Sequence, residues 1–229
     1  MRIQLDFGAV LAEWPLLLTG VGWTLALTAV AVVAGTALGI GCAWVRARGF
    51  GANHAPRWLQ AVVGGYVELI RNTPFIVQLF FIFFGLPAAG FKLSAETASF
   101  IAMVINLGAY SAEIVRAGIQ TTPVGQIEAA MSLALTRLQT FVWVVLPPAL
   151  QRVWPALVSQ IIIVMLGSAV CGQISTEELS FAANLIQSRN FRAFEAFIVA
   201  TAVYLLLSIA TRATLNWFGQ RFLFGGRRG

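Results

Sequence analysis

Between Trp14 and Val45 the chain runs for 32 residues without a charged side chain. A stretch of that kind belongs in lipid. About 20 apolar residues in a helix cross a bilayer, and a helix bonds its own backbone groups where no water can. Four further uncharged runs follow, at 72–91, 97–112, 153–176 and 196–211. The third and fifth fall short of a full crossing. Flanking residues whose charged heads snorkel to the interface complete them. The expected spans are therefore about 20–45, 66–88, 95–117, 153–175 and 194–216, with the surplus from Trp14 to about Gly20 lying at the interface. A sixth run, 138–151, is too short to cross. The composition agrees: 59% of residues are hydrophobic and 10% charged, with mean hydropathy +0.81, whereas about a quarter of a soluble domain is charged. The expectation is an all-α integral membrane protein with five transmembrane helices in a single domain, 1–229, whose core spans about 15–217.

Five crossings put the termini on opposite sides, and basic residues choose which side is which. Arg46, Arg48 and Arg57, then Arg116, Arg137 and Arg152, then Arg212, Arg221, Arg227 and Arg228 fall on one side; Arg2, Lys92, Arg189 and Arg192 fall on the other, with Arg71 at a span edge. Positive residues stay cytoplasmic, so the N-terminus is expected outside and the C-terminus inside. The net charge of +6 is thus read as membrane orientation and lipid attraction, with no basic run in a soluble domain to suggest nucleic acid. The segment Met1–Glu13 carries Asp6 and Glu13 and lacks a basic start directly before its apolar run, so no cleavable signal is expected. The tail from Gln220 onward is expected to be flexible.

Several chemistries have too few residues. Cys42 and Cys171 lie in apolar runs and read as packing residues. His54, the single histidine, sits in the first basic loop and reads as solvated, which leaves a metal cluster or a Ser-His-Asp triad hard to assemble. Lys92 is the single lysine, and Phe91 separates it from Gly90, so no phosphate-binding Gly-Lys-Ser/Thr turn exists. Nucleotide hydrolysis is not expected on this chain, and no cofactor is.

The most polar connection runs from Ala109 to Leu150. Thr122 can cap a helix there, Pro123 suits its first position and Pro147-Pro148 should end it. Apolar residues recur at Ile127, Ala130, Met131, Ala134, Leu135, Leu138, Val142 and Val145 with helical spacing. Read without further context, this is an amphipathic helix lying on the membrane.

The residues carry more than that. Glu128-Ala129-Ala130, a small residue at Ala134, and Leu146-Pro147 at the end resemble the EAA loop of permease subunits of ATP-binding-cassette (ABC) importers. The segments AYSAEIVRAGI at 109–119 and YVELIRNTPFIVQLFFIFFGLP at 66–87 are similar to those of the polar amino acid class, so the resemblance covers about 15–215. It implies a type I importer permease fold with a cytoplasmic coupling loop at 119–150, docking through Glu128, Ala129, Ala130, Ala134, Leu146 and Pro147 into a separate ATPase dimer that holds ATP and Mg. It further implies a bacterial inner-membrane location, a second permease subunit and a periplasmic amino-acid-binding protein. The family usually has glycine where this chain has Ala134. Such permeases also commonly carry a lysine and an acidic or amide residue in the middle of the fourth span, where this chain has Leu166 and Gly167. That departure favours a non-identical partner permease.

Polar residues inside the spans are the pathway candidates, because unpartnered polar groups are costly there: Gln78, Asn106, Gln160, Ser168 and Gln173. For Asn106, with Tyr110 one turn on, an interhelical hydrogen bond is an equal reading. Glu113 and Arg116 are spaced to form a structural ion pair, as are Glu68 and Arg71. Ala31, Gly35 and Gly39 recur every four residues, which allows close helix approach within the subunit or at an interface. The segment from Glu177 to Arg192 should form a short surface helix. The competing functional reading is an ion-coupled carrier working alone. Such carriers use repeats and buried carboxylates, and neither is visible.

Overall fold

The computed structural model describes residues 5–47 and 55–224; His54, Arg2, Arg48, Arg227 and Arg228 lie outside them. Every regular element there is helical. In chain order they are α1 (Phe7–Leu11), α2 (Trp14–Val45), α3 (Arg57–Arg71), α4 (Phe75–Ala88), α5 (Ala95–Gln120), α6 (Val124–Ser132), α7 (Arg137–Ile174), α8 (Leu179–Asn190) and α9 (Ala193–Leu223). Four of them, α2, α5, α7 and α9, are long and apolar enough to cross a membrane, and the bent pair α3–α4 makes five when counted as one span.

Small residues set the packing. Ala31 is fully buried, and a Cβ on Gly35 or Gly39 would fall within 3.1 Å of α5 backbone or side-chain atoms. The every-fourth stripe of α2 therefore seats α5 within the same subunit. Gly118 does the same between α5 and α7: a Cβ there would meet Ala149 O at 2.9 Å and Val153 Cγ1 at 2.8 Å. The largest apolar cluster joins Leu27, Leu79, Met103, Leu107, Ile161 and Ile174 from α2, α4, α5 and α7.

The two ends of the bundle are distinct. At one, α8 packs on α1, the start of α2 and the start of α9, through Val10, Leu17, Leu179, Ile186 and Ala196. At the other, α6 seats Ile127 against Ala43, Val115, Phe141 and Val145. Asp6 N donates to Glu195 at the α8 end, while Gln151 on the α6 side of α7 bonds Leu223 O. The first and last described residues thus lie at opposite ends.

Several expectations change. The helix that carries the first crossing begins at Trp14 with no break before Gly20, so 14–20 is the start of one continuous helix. The second, expected over 66–88, is broken: α3 and α4 meet at 114°. Asn72 and Thr73 bond the carbonyls of Glu68 and Leu69 at 2.8 Å each, and Pro74 is extended (ψ 139°). The last turn of α3 is closed by its own side chains and cannot continue. The helix that carries the fourth span starts at Arg137, 16 residues before the expected span. Pro147 and Pro148 do not end it, because the preceding Thr140–Val145 forms a wide π-type turn. The two prolines fall on the first turn of the α-helical stretch that follows it, where proline's missing N–H costs little. The last helix extends past Arg212 to Leu223, so residues 220–223 of the expected flexible tail are helical.

Candidate functional site

Two regions carry chemistry. The first is a cavity of about 460 Å3, within the range of roughly 300–1,000 Å3 for small-molecule sites. Its polar lining comes from Thr73, Asn106, Tyr110 and Gln160, and its apolar wall includes Phe75, Ile163, Val164 and Gly167. The break between α3 and α4 supplies Thr73 and Phe75, α5 supplies Asn106 and Tyr110, and α7 supplies the rest. No charged residue lines it. A Cβ added to Gly167 would meet nothing within 4 Å, so this glycine leaves space where a side chain would reach into the cavity.

The five pathway candidates separate. Asn106 and Gln160 line the cavity together. Gln78 is buried behind the wall, where its Nε2 donates to Ile70 O (2.7 Å), Thr73 O (2.9 Å) and Thr73 Oγ1 (2.9 Å), and its Oε1 accepts from Asn106 Nδ2 (3.0 Å). Ser168 is fully buried and its hydroxyl donates to Met165 O one turn back. Gln173 is exposed at the α8 end of α7. Neither of the last two lines the cavity. A sequence fixes which residues share a span, but the rotation of the helix decides which of them face inward.

Beside the cavity sits a charge cluster. Glu113 accepts bidentate bonds from Arg116 and pairs with Arg46 Nη1 at 3.3 Å and Arg71 Nη1 at 3.9 Å. Arg71 therefore turns to α5 instead of Glu68 on its own helix. It also lies 5.8 Å over the Tyr110 ring, a cation–π distance. One carboxylate thus ties α2, α3 and α5 together. These side chains are 22–40% exposed, so each pair contributes about 1 kcal/mol or less.

The second region is the surface loop that carries α6. Thr122 does not cap it: its buried hydroxyl has no hydrogen-bond partner, and Pro123 (ψ 134°) stands outside the helix as its cap. The expected continuous helix is interrupted after Ser132. Leu135 N bonds Ala130 O, Ala134 N bonds Met131 O, and Ala134 adopts φ 61°. This is a Schellman turn, whose left-handed position usually holds glycine. Thr136 and Gln139 then form a capping box that starts α7, a Thr-x-x-Gln signal present in the sequence. Of the residues in the Glu-Ala-Ala run, Ala130 is buried while Glu128 and Ala129 are exposed. Leu133 is 79% exposed. Leu146 is half-buried and Pro147 exposed, both on α7.

Polytopic helices around a small uncharged cavity, with a short exposed helix hung from two of them at one end, are what a membrane transport subunit requires. Residues 35–224 match the family described as binding-protein-dependent transport system inner membrane component, and the chain belongs to that family. It is 34% identical over 222 residues to the glutamine transport system permease protein of Escherichia coli (strain K12), covering 96% of this chain and 98% of that one. It is 33% identical over 198 residues to a probable glutamine ABC transporter permease protein of Bacillus subtilis (strain 168), covering 86% and 89%. Among solved structures it is similar to an amino acid ABC transporter, with TM-score 0.81, 34% identity and 96% and 100% coverage. A methionine ABC transporter at 23% identity, with TM-score 0.66 and 88% and 95% coverage, shares the fold. The chain is therefore an inner-membrane permease subunit of an ATP-driven importer, with the type I importer fold, and not an enzyme or a carrier working alone.

Proposed function

We propose that the solute is a polar amino acid or a close derivative, carried through the cavity between α5 and α7, and that α6 is the surface on which a separate ATPase subunit docks. The exposed Glu128 and Ala129 on a helix held from behind by Ile127 and Ala130, with the exposed Leu133 just past its end, carry the docking half of this reading. Ala134, Leu146 and Pro147 shape the turn and the helix start beside it. The uncharged polar lining and the glutamine permease relatives support the solute class. No cofactor is needed on this chain, since ATP and Mg belong to the ATPase. The excess of arginine in the connections and tail assigned to that side of the sequence supports a cytoplasmic α6 end and C-terminus. The α8 end then faces outward, toward a solute-binding protein. The absence of charge at Leu166 and Gly167 favours a second, non-identical permease that supplies the charged half of the pathway. Replacing Glu128 with arginine in the assembled transporter tests the docking surface. It should abolish copurification with the ATPase or uncouple hydrolysis from uptake; wild-type transport by that variant overturns the reading.

A further inference from the structure

We infer that Gln78 is a positioning residue that fixes the amide of Asn106 with its carbonyl oxygen toward the cavity, so that the cavity accepts a solute side chain that donates N–H and discriminates against a carboxylate of the same shape. The inference rests on the amino-acid reading above and deepens it.

The argument follows from hydrogen-bond valence. Gln78 Nε2 contacts the carbonyl oxygens of Ile70 and Thr73 at 2.7 and 2.9 Å. Carbonyls only accept, so the nitrogen of this amide must lie on that side and the Gln78 oxygen must lie on the other. That oxygen in turn faces Asn106 at 3.0 Å, and an oxygen there requires the donor end of Asn106. The carbonyl oxygen of Asn106 is therefore the end left over. It takes no hydrogen bond among the described residues, and Asn106 lines the cavity. Both side chains are 8% exposed, so water does not compete freely for this arrangement. The break after α3 supplies the two carbonyls that start the relay, which gives a backbone irregularity a consequence one helix away.

Gln160, across the cavity on α7, has no such constraint among the described residues and can present either end of its amide to suit a ligand. Asn106 is the member whose polarity is set in advance. A ligand carboxylate placed against its oxygen would set two electron-rich groups face to face with no lining cation between them, whereas an amide N–H would find its acceptor. The zwitterionic end of an amino acid has its natural place at the half-buried Tyr110, next to the Arg71 and Glu113 charges, leaving the side chain to reach toward Asn106. L-Glutamine and L-glutamate differ in the one group this geometry reads.

Scintillation-proximity binding of tritiated L-glutamine to the assembled transporter in lipid nanodiscs, with unlabelled L-glutamate as competitor, tests the inference without a solute-binding protein that would impose its own selectivity. Wild type should favour glutamine by about tenfold or more, the usual scale for leaving a buried acceptor unmatched. Gln78→Met frees the Asn106 amide to turn over and should bring the ratio within about threefold. Asn106→Leu should do the same while leaving the three Gln78 donor contacts at the helix break intact. A purely structural role for Gln78 would weaken both ligands together and keep the ratio. An unchanged ratio in Gln78→Met, or equal binding of both solutes by wild type, overturns the inference alone. Binding of neither solute by wild type overturns the amino-acid reading along with it.

Discussion

The closest test of the packing is a methyl group on Gly39. An ideal Cβ at that position would lie 2.5 Å from Ser111 Cβ, 2.9 Å from Ala112 N and 2.9 Å from Gly108 O. Carbon atoms in ordinary contact sit about 3.5–4.0 Å apart, and two of these three neighbours are backbone atoms of α5 that no rotamer change can move. Gly39→Ala must therefore push α2 and α5 apart by about 1 Å along their shared seam, a form of overpacking that costs roughly 1–3 kcal/mol. Gly41 provides the matched control, because a Cβ there would meet nothing within 4 Å. Both substitutions replace glycine inside the same helix and share the same propensity gain, about 1 kcal/mol, so the difference between them isolates the clash. At roughly 2–4 °C per kcal/mol for a chain of 150–250 residues, Gly39→Ala should melt about 2–12 °C below Gly41→Ala in a detergent thermal-shift assay read by size exclusion. Equal melting of the two variants would refute the close approach of α2 and α5.

Two further outcomes follow from backbone strain and burial. Ala134 holds φ 61° in its Schellman turn, where an L-side chain costs roughly 1–2 kcal/mol; glycine removes that penalty but loses up to about 1 kcal/mol to its freer unfolded chain. Ala134→Gly should thus be neutral to about 2 kcal/mol more stable in the same melting assay, and a clear loss of stability would contradict the left-handed assignment. Glu178 is fully buried at the start of α8, accepting from Ser180 N (2.9 Å), Phe181 N (2.8 Å) and Tyr204 OH (2.5 Å). Burial raises its carboxyl above the usual range, against the pull of those three donors. A raised value means the folded state keeps its proton longer than the unfolded chain, so the contribution is full below the ordinary value, about 4.3, and fades as pH climbs through the raised one. Glu178→Gln does not titrate, so its melting temperature relative to wild type should increase from pH 5 to pH 8; a constant difference would argue against the shift.

Much of this was legible from the sequence, and what was missed has identifiable causes. Uncharged runs located the long helices because lipid excludes charge whatever the packing. The Glu113 and Arg116 pair followed from a three-residue spacing that helical geometry enforces, but the convergence of Arg46 and Arg71 on the same carboxylate needed three helices in place. Prolines 147 and 148 misled because their effect depends on the turn before them, and a wide turn at Thr140–Val145 has no simple residue signature. Asn72, Thr73 and Gln78 closing the end of α3 is a local motif, readable in hindsight from three polar residues around Pro74. Glu178 belongs to the segment from Glu177 to Arg192 expected as a short surface helix; only the fold shows that it is buried while Glu177 is exposed.

The two regions are joined by continuous helices, which bears on how a displacement of one would reach the other. Behind α6, Ile127 and Ala130 are buried, Ile127 in the cluster that holds Val115 and Ile119 of α5 and Phe141 and Val145 of α7. The same two helices carry Asn106, Tyr110, Gln160 and Gly167 into the cavity. From Phe141 to Gln160 is 19 residues of α7, about 28 Å at 1.5 Å per residue, with no loop between. Near α6 the two helices are fastened: Arg152 Nη1 on α7 bonds Thr121 O (3.1 Å) and Thr121 Oγ1 (2.6 Å) at the end of α5, and Gly118 brings α5 against Ala149 and Val153. A displacement of α6 therefore cannot be absorbed by sliding α5 past α7 at that end. It must tilt the fastened pair as a unit or spread it farther along, where the lining is Asn106 and Gln160. Because packed helices repack between discrete arrangements and do not stretch, the cavity is the part of this pair with room to change.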